Sequence, residues 1–154
     1  MLILLDIDGV MVVAKSWKRP ELLEDGFPAF SLNSIHVLKN LINESTTIVL
    51  TTSHKSKFSI EEWKKIFELR GLTLNSLKVL DENIKNLNRK DEILNWFNLN
   101  NVNEDFVIID DDTSLNDLPT FLKDRFVLTS SFIGLTDSHI EIINKILSKK
   151  PHKV

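Results

Sequence analysis

Short apolar runs alternate along the chain with stretches in which apolar residues recur every three or four positions. Leu2-Ile3-Leu4-Leu5 is apolar at every position, the pattern of a strand covered on both faces. Thr47-Ile48-Val49-Leu50 predicts a second strand, rich in β-branched residues. Leu77–Leu80 predicts a short third strand, Phe106-Val107-Ile108-Ile109 a strong fourth and Arg125–Leu128 a fifth. Between them lie helical periods. Ile35, Leu38, Leu41 and Ile42 share one face, and Ile60, Trp63, Ile66 and Phe67 share another. That second helix opens on the capping-box pattern Ser59-Ile60-Glu61-Glu62 and stops at Gly71. A helix over Asp91–Phe97 turns Ile93, Leu94 and Phe97 inward, and a last one from about Asp137 to Ser148 aligns Ile140, Ile143 and Leu147. Residues 10–30, with Pro20, Gly26 and Pro28, read as irregular, and Leu115–Leu122 as a short helix or loop broken by Pro119.

Strands that alternate with helices predict an α/β fold, a three-layer sandwich around a central parallel sheet. The length of 154 residues suits one domain, over 1–150, followed by a polar tail at 151–154 that is expected to fray. No internal repeat, low-complexity tract or linker interrupts it. A composition of 42% hydrophobic and 27% charged residues is that of a globular chain and excludes wholesale disorder.

There is no cysteine, which excludes a disulfide framework, a thiol nucleophile and any Cys-ligated metal. The net charge of −3 exerts no global pull toward nucleic acid or anionic membrane. No run approaches the ~20 apolar residues that span a bilayer, and no basic stretch precedes the short run Leu2–Leu5. A soluble cytoplasmic protein is the expectation.

In open parallel sheets, sites form beyond the carboxyl ends of the strands. Leu5 is followed by Asp6, Ile7, Asp8 and Gly9; Leu50 by Thr51, Thr52 and Ser53; Ile109 by Asp110, Asp111 and Asp112. Three strands thus deliver carboxylates and hydroxyls to one edge. Crowded carboxylates repel unless a cation or shared proton relieves them. All-oxygen ligation without cysteine favours a hard ion, Mg²⁺ first. Such a site suits phosphoryl transfer: one aspartate attacks phosphorus, and a second, two residues on, protonates the leaving oxygen. A hydroxyl and a lysine would hold the phosphate, and Lys90 stands at the start of the helix that precedes the acidic strand.

Asp6-Ile7-Asp8-Gly9-Val10 resembles the Asp-x-Asp-Gly motif of the haloacid-dehalogenase (HAD) superfamily. Thr51-Thr52-Ser53 resembles its second motif, Lys90 its third and Asp110-Asp111 its fourth, in the family's order, from Leu2 to about Leu128. The resemblance implies a HAD-like, Rossmannoid sandwich with no large cap domain, similar to small bacterial HAD proteins and the HAD module of RNA-repair proteins. It implies a Mg²⁺-dependent phosphatase with an aspartyl-phosphate intermediate. Asp6 would be nucleophile and metal ligand. Asp8 would be general acid and base, with its backbone carbonyl on the metal. Thr51 and the Thr52 amide would bind the phosphoryl group and Lys90 would neutralise it. Asp111 would be the third metal ligand, able to exchange roles with Asp110, and Asp112 would support them. A phosphorylated substrate is implied, whether nucleic-acid end, nucleotide, sugar phosphate or phosphoprotein. The open cleft of capless relatives goes with extended substrates.

Other residues read more plainly. His54 and Lys55 fit an exposed loop better than a substrate contact. His36 fits a surface or core position, and Trp63 and Trp96 fit packing. Trp17, among Lys15, Lys18 and Arg19, lies where the family carries a mobile flap, although a solvated loop is the plainer reading. Arg89 and Lys85 lie close enough to Lys90 to compete for its role. A receiver-like phospho-acceptor shares the acidic site, but its motif order differs. A non-catalytic binding module sits poorly with the retention of both Asp6 and Asp8. Four glycines without a G-x-G-x-x-G argue against dinucleotide binding.

Overall fold

A computed structural model describes residues 1–14 and 19–148. The strands are β1 (Leu2–Leu5), β2 (Thr47–Leu50), β3 (Ser76–Val79), β4 (Phe106–Asp110) and β5 (Phe126–Leu128). The helices are α1 (Leu32–Leu41), α2 (Ile60–Leu69), α3 (Arg89–Leu99), α4 (Thr120–Lys123) and α5 (Ser138–Ser148). The strands form one parallel sheet in the order β3-β2-β1-β4-β5. β1 is therefore central, with the chain's first crossovers running one way from it and the later ones the other.

Side chains alternate across a strand, so each strand feeds two cores. Ile3, Leu5, Ile48, Leu50, Val107 and Ile109 face a core shared with α1, α2 and α5. Leu2, Leu4, Val49, Phe106 and Ile108 face a second core, shared with α3 and α4. Burial of each such side chain contributes about 1.5–3 kcal/mol. This two-sided burial is the three-layer sandwich that the uninterrupted apolar runs predict.

Helix phase differs from the sequence reading in two places. In α1 the buried face is Ser34, Val37, Leu38 and Leu41, whereas Ile35 and Ile42 are only half-buried. Ser34 is inside because its hydroxyl donates to the Val10 carbonyl at 2.7 Å. In α2, Trp63, Ile66 and Phe67 are buried while Ile60, in the first turn, stays exposed. The capping box at Ser59 and Glu62 forms as expected, and Gly71, at φ +84°, ends the helix. The segment Leu115–Leu122 resolves into a 3-10 turn (Thr113–Asp117) and α4, divided at Pro119.

Among the described residues, the chain between β1 and α1 forms no separate layer. It makes isolated bridges at Asp8–Val12 and Leu22–Pro28. Arg70 anchors it from the end of α2: the guanidinium donates to Asp25 at 2.7 Å and to the carbonyls of Phe27 and Pro28 at 2.9 Å each. The same guanidinium stacks on Phe30, 4.8 Å from the ring centroid. Lys15, Trp17 and Lys18, and the tail at 151–154, lie outside the described residues. No helix is long and apolar enough to cross a membrane among the residues described.

Candidate functional site

The parallel register sets the site. Leu5 pairs with Leu50 on one side and with Ile109 on the other. One residue further, Asp6, Thr51 and Asp110 therefore stand level at the carboxyl edge of three adjacent strands. The Asp6 amide donates to Ile109 O at 3.1 Å and the Thr51 amide to Leu5 O at 3.0 Å, so the alignment continues past the ladder. By alternation these three side chains share the side of Leu4, Val49 and Ile108, which is the α3 side. All three are buried.

Asp111 completes an acidic cluster: one carboxylate oxygen each from Asp6, Asp110 and Asp111 lies within 4.8 Å of the others. Gly9 makes room for it. At φ +82°, Gly9 adopts a backbone conformation that side chains disfavour, and a Cβ there would lie 2.0 Å from Asp111 Oδ2. The loop carrying Gly9 is tightly closed, because the amides of Val10, Met11 and Val12 all converge on the Ile7 carbonyl at 2.9–3.1 Å. Thr129, just past β5, donates its hydroxyl to Gly9 O at 2.7 Å. Asp112 contributes its amide, which donates to Asp110 Oδ1 at 3.0 Å, while its carboxylate caps the following turn at Ser114.

One cation reaches this cluster among the described residues. Arg89 Nη1 lies 2.7 Å from Asp110 Oδ2, 3.3 Å from Asp6 Oδ1 and 3.4 Å from Thr51 Oγ1. It is the first residue of α3, which starts two positions earlier than the sequence pattern predicts because the Asn88 side chain caps the Asp91 amide. Arg89 then falls four residues before the buried Ile93, on the inward face. Lys90, which sequence order favours for this role, sits one step round the helix, half-buried, with no ion pair to any of the three carboxylates.

The electrostatics follow from burial. Desolvation, and next the charge of Asp110, push Asp6 up from 3.8 to about 8, against the pull of Arg89. Burial likewise raises Asp110, although Arg89 opposes it. Burial disfavours the charge on Arg89, but Asp110 and Asp6 outweigh it and hold the guanidinium firmly charged. Three carboxyl groups gathered around one guanidinium are relieved, without metal, by a proton held on Asp6. Oxygen donors at this spacing, where a cation could take the place of that proton, fit a hard divalent ion.

The Asp8 carboxylate stands outside the cluster, more than half exposed, 2.7 Å from His54 Nε2. His54 and Lys55 correct the expectation of an exposed loop. The chain turns inward at Lys55–Lys57, where the Trp63 indole donates to Lys55 O at 3.2 Å, and Lys55 is 4% exposed with Nζ 2.7 Å from Glu92. Glu92 also lies 4.0 Å from Arg89 Nε, so one carboxylate stands between the buried Lys55 and the half-buried Arg89. Thr52 is buried and its hydroxyl accepts from the His54 amide at 3.3 Å. His36 is at the surface near Asp137, Trp63 is fully buried, and Trp96 packs edge-on against Phe97.

The family described as "HAD domain in Swiss Army Knife RNA repair proteins" matches residues 2–140, and the chain belongs to it. No curated protein and no solved structure matches the chain.

Proposed function

We propose, from membership of this HAD family, that the chain is a Mg²⁺-dependent phosphomonoester hydrolase acting through an aspartyl-phosphate on Asp6. The observation that carries the proposal is the level row of Asp6, Thr51 and Asp110, joined by Asp111 and bridged by Arg89. Asp6, Asp110 and Asp111 would hold the metal, with the Asp8 carbonyl as a further ligand by family resemblance. When bound, Mg²⁺ neutralises phosphate and carboxylate charge and so favours ionised Asp6.

Asp6 attacks phosphorus, and the bond to the leaving oxygen breaks as Asp8 gives that oxygen a proton. Asp8, now ionised, takes a proton from water as the water cleaves the aspartyl-phosphate. Inorganic phosphate leaves, and Asp6 is regenerated. Arg89 and the Thr51 hydroxyl, with the Thr52 amide, stabilise charge on the phosphoryl oxygens. The presence of Asp6, Asp8, Asp110 and Asp111 together speaks against a non-catalytic module.

RNA repair, in the family's description, favours a phosphorylated RNA end as the first substrate to try. Phosphate release with Mg²⁺ is to be compared for 3′- and 5′-phosphorylated oligonucleotides, nucleotides, sugar phosphates and a phosphopeptide. Release should require Mg²⁺ and vanish in Asp6→Asn with the fold intact. An unchanged rate in Asp6→Asn overturns the mechanism.

A further inference from the structure

Resting on the hydrolase reading above, we infer that His54 is a positioning residue for Asp8, selecting which carboxylate oxygen meets the leaving group. The general acid needs one oxygen protonated and aimed, yet Asp8 lies on an exposed loop edge where its carboxyl could rotate freely. His54 Nε2, 2.7 Å from Oδ2, engages one oxygen and leaves Oδ1 for the substrate. When Asp8 is ionised its oxygens only accept, so Nε2 is the donor; when Oδ1 carries the proton for the acid step, Oδ2 still accepts, and the one bond serves Asp8 both as acid and as base. An exposed pair of this kind adds little to stability. Its effect is on orientation.

The imidazole is itself held. Its ring meets Phe27 edge-on with centroids 6.0 Å apart, and Phe27 packs likewise on Trp63, at 5.5 Å. Arg70 binds the Phe27 carbonyl at 2.9 Å, so the ring that supports His54 is fixed from the end of α2. At the backbone, the His54 amide donates to Thr52 Oγ1 and its carbonyl accepts from Lys57. The phosphate-binding turn after β2 and the acid-bearing loop after β1 are thereby joined through one side chain.

A residue that acts only by aiming the acid matters where the leaving group needs a proton. The test compares kcat/KM for an alkyl phosphate, a poor leaving group, with that for p-nitrophenyl phosphate, a good one. His54→Ala should lower the first roughly tenfold or more and change the second by no more than about twofold. His54→Gln, which keeps a donor, should recover most of the loss. His54→Phe keeps the ring against Phe27 without the donor. It should behave like His54→Ala, and it serves if the alanine variant melts early. Independently of turnover, the ring ¹⁵N shifts of His54 should move in Asp8→Asn protein. Equal losses on both substrates, no loss on the alkyl phosphate, or unmoved ring shifts each overturn the assignment alone. A wild type that releases phosphate neither from these two esters nor from the oligonucleotides, nucleotides, sugar phosphates and phosphopeptide above overturns the hydrolase reading and this assignment with it.

Discussion

The guanidinium of Arg89 lies 2.7 Å from the buried carboxylate of Asp110. This contact ties the first turn of α3 to the end of β4, and it gives the acidic row its one described cation. Arg89→Ala should reduce kcat/KM by about 10²-fold or more, as loss of a preorganised charge partner in a buried site does. Lys90→Ala should stay within about threefold of wild type. Steady-state kinetics at saturating Mg²⁺ compare the two. The reverse ranking would return the role to Lys90.

Asp6 makes the metal-free protein sensitive to alkali. Its carboxyl is raised from 3.8 to about 8 in the folded state, so between those values the native form binds the extra proton. Stability from this group is present below about pH 4 and falls as pH rises toward 8. Thermal melts without metal should decline across that window, by less in Asp6→Asn and by less in wild type with Mg²⁺. Identical slopes in wild type and Asp6→Asn would falsify the linkage.

Gly9→Ala should weaken metal binding more than it weakens the fold. The added Cβ falls 2.0 Å from Asp111 Oδ2 and 2.9 Å from Asp111 Cβ, so the carboxylate must swing away and the loop must give slightly, and the φ of +82° adds strain. The expected result is a several-fold higher Mg²⁺ requirement, with Tm lowered modestly. Calorimetric titration of Mg²⁺ measures it, and an unshifted midpoint would remove Asp111 from the ligand set.

Arg70 holds the irregular segment between β1 and α1. Arg70→Ala removes the ion-pair partner of Asp25, leaves the Pro28 carbonyl without its donor, takes one of two donors from the Phe27 carbonyl and opens space beside Phe30. The loss should be about 1–3 kcal/mol, chiefly from the Pro28 carbonyl left without its donor, because Asp25 stays solvated. Urea unfolding gives the value. A change below about 1 kcal/mol would mean that the segment is held chiefly by its aromatic contacts.

Much of the fold is legible because β1, β2 and β4 are short apolar runs that alternate with helical periods, the pattern of a covered parallel sheet. The residues after those strands then announce the acidic row. The cation was harder to read, because it depends on helix phase. With Asn88 as the cap, both Arg89 and Lys90 fall in the first turn of α3, and it is Arg89 whose guanidinium reaches Asp6 and Asp110. His54 and Lys55 carry no local signal, since their partners Asp8 and Glu92 are remote in sequence. Arg70 is similar: its partner Asp25 belongs to a segment that the pattern marks only as irregular.

The matching register of β1 with both neighbours has a consequence for sequence change. Insertion or deletion of a single residue within Leu2–Leu5 would rotate everything after it by half a pleat. Asp6 would swing into the greasy layer occupied by Leu5 and Ile7, and its place opposite Arg89 would fall to an aliphatic neighbour. An aliphatic-for-aliphatic substitution in this strand trades one hydrocarbon for another, but a change in its length breaks the acidic row outright.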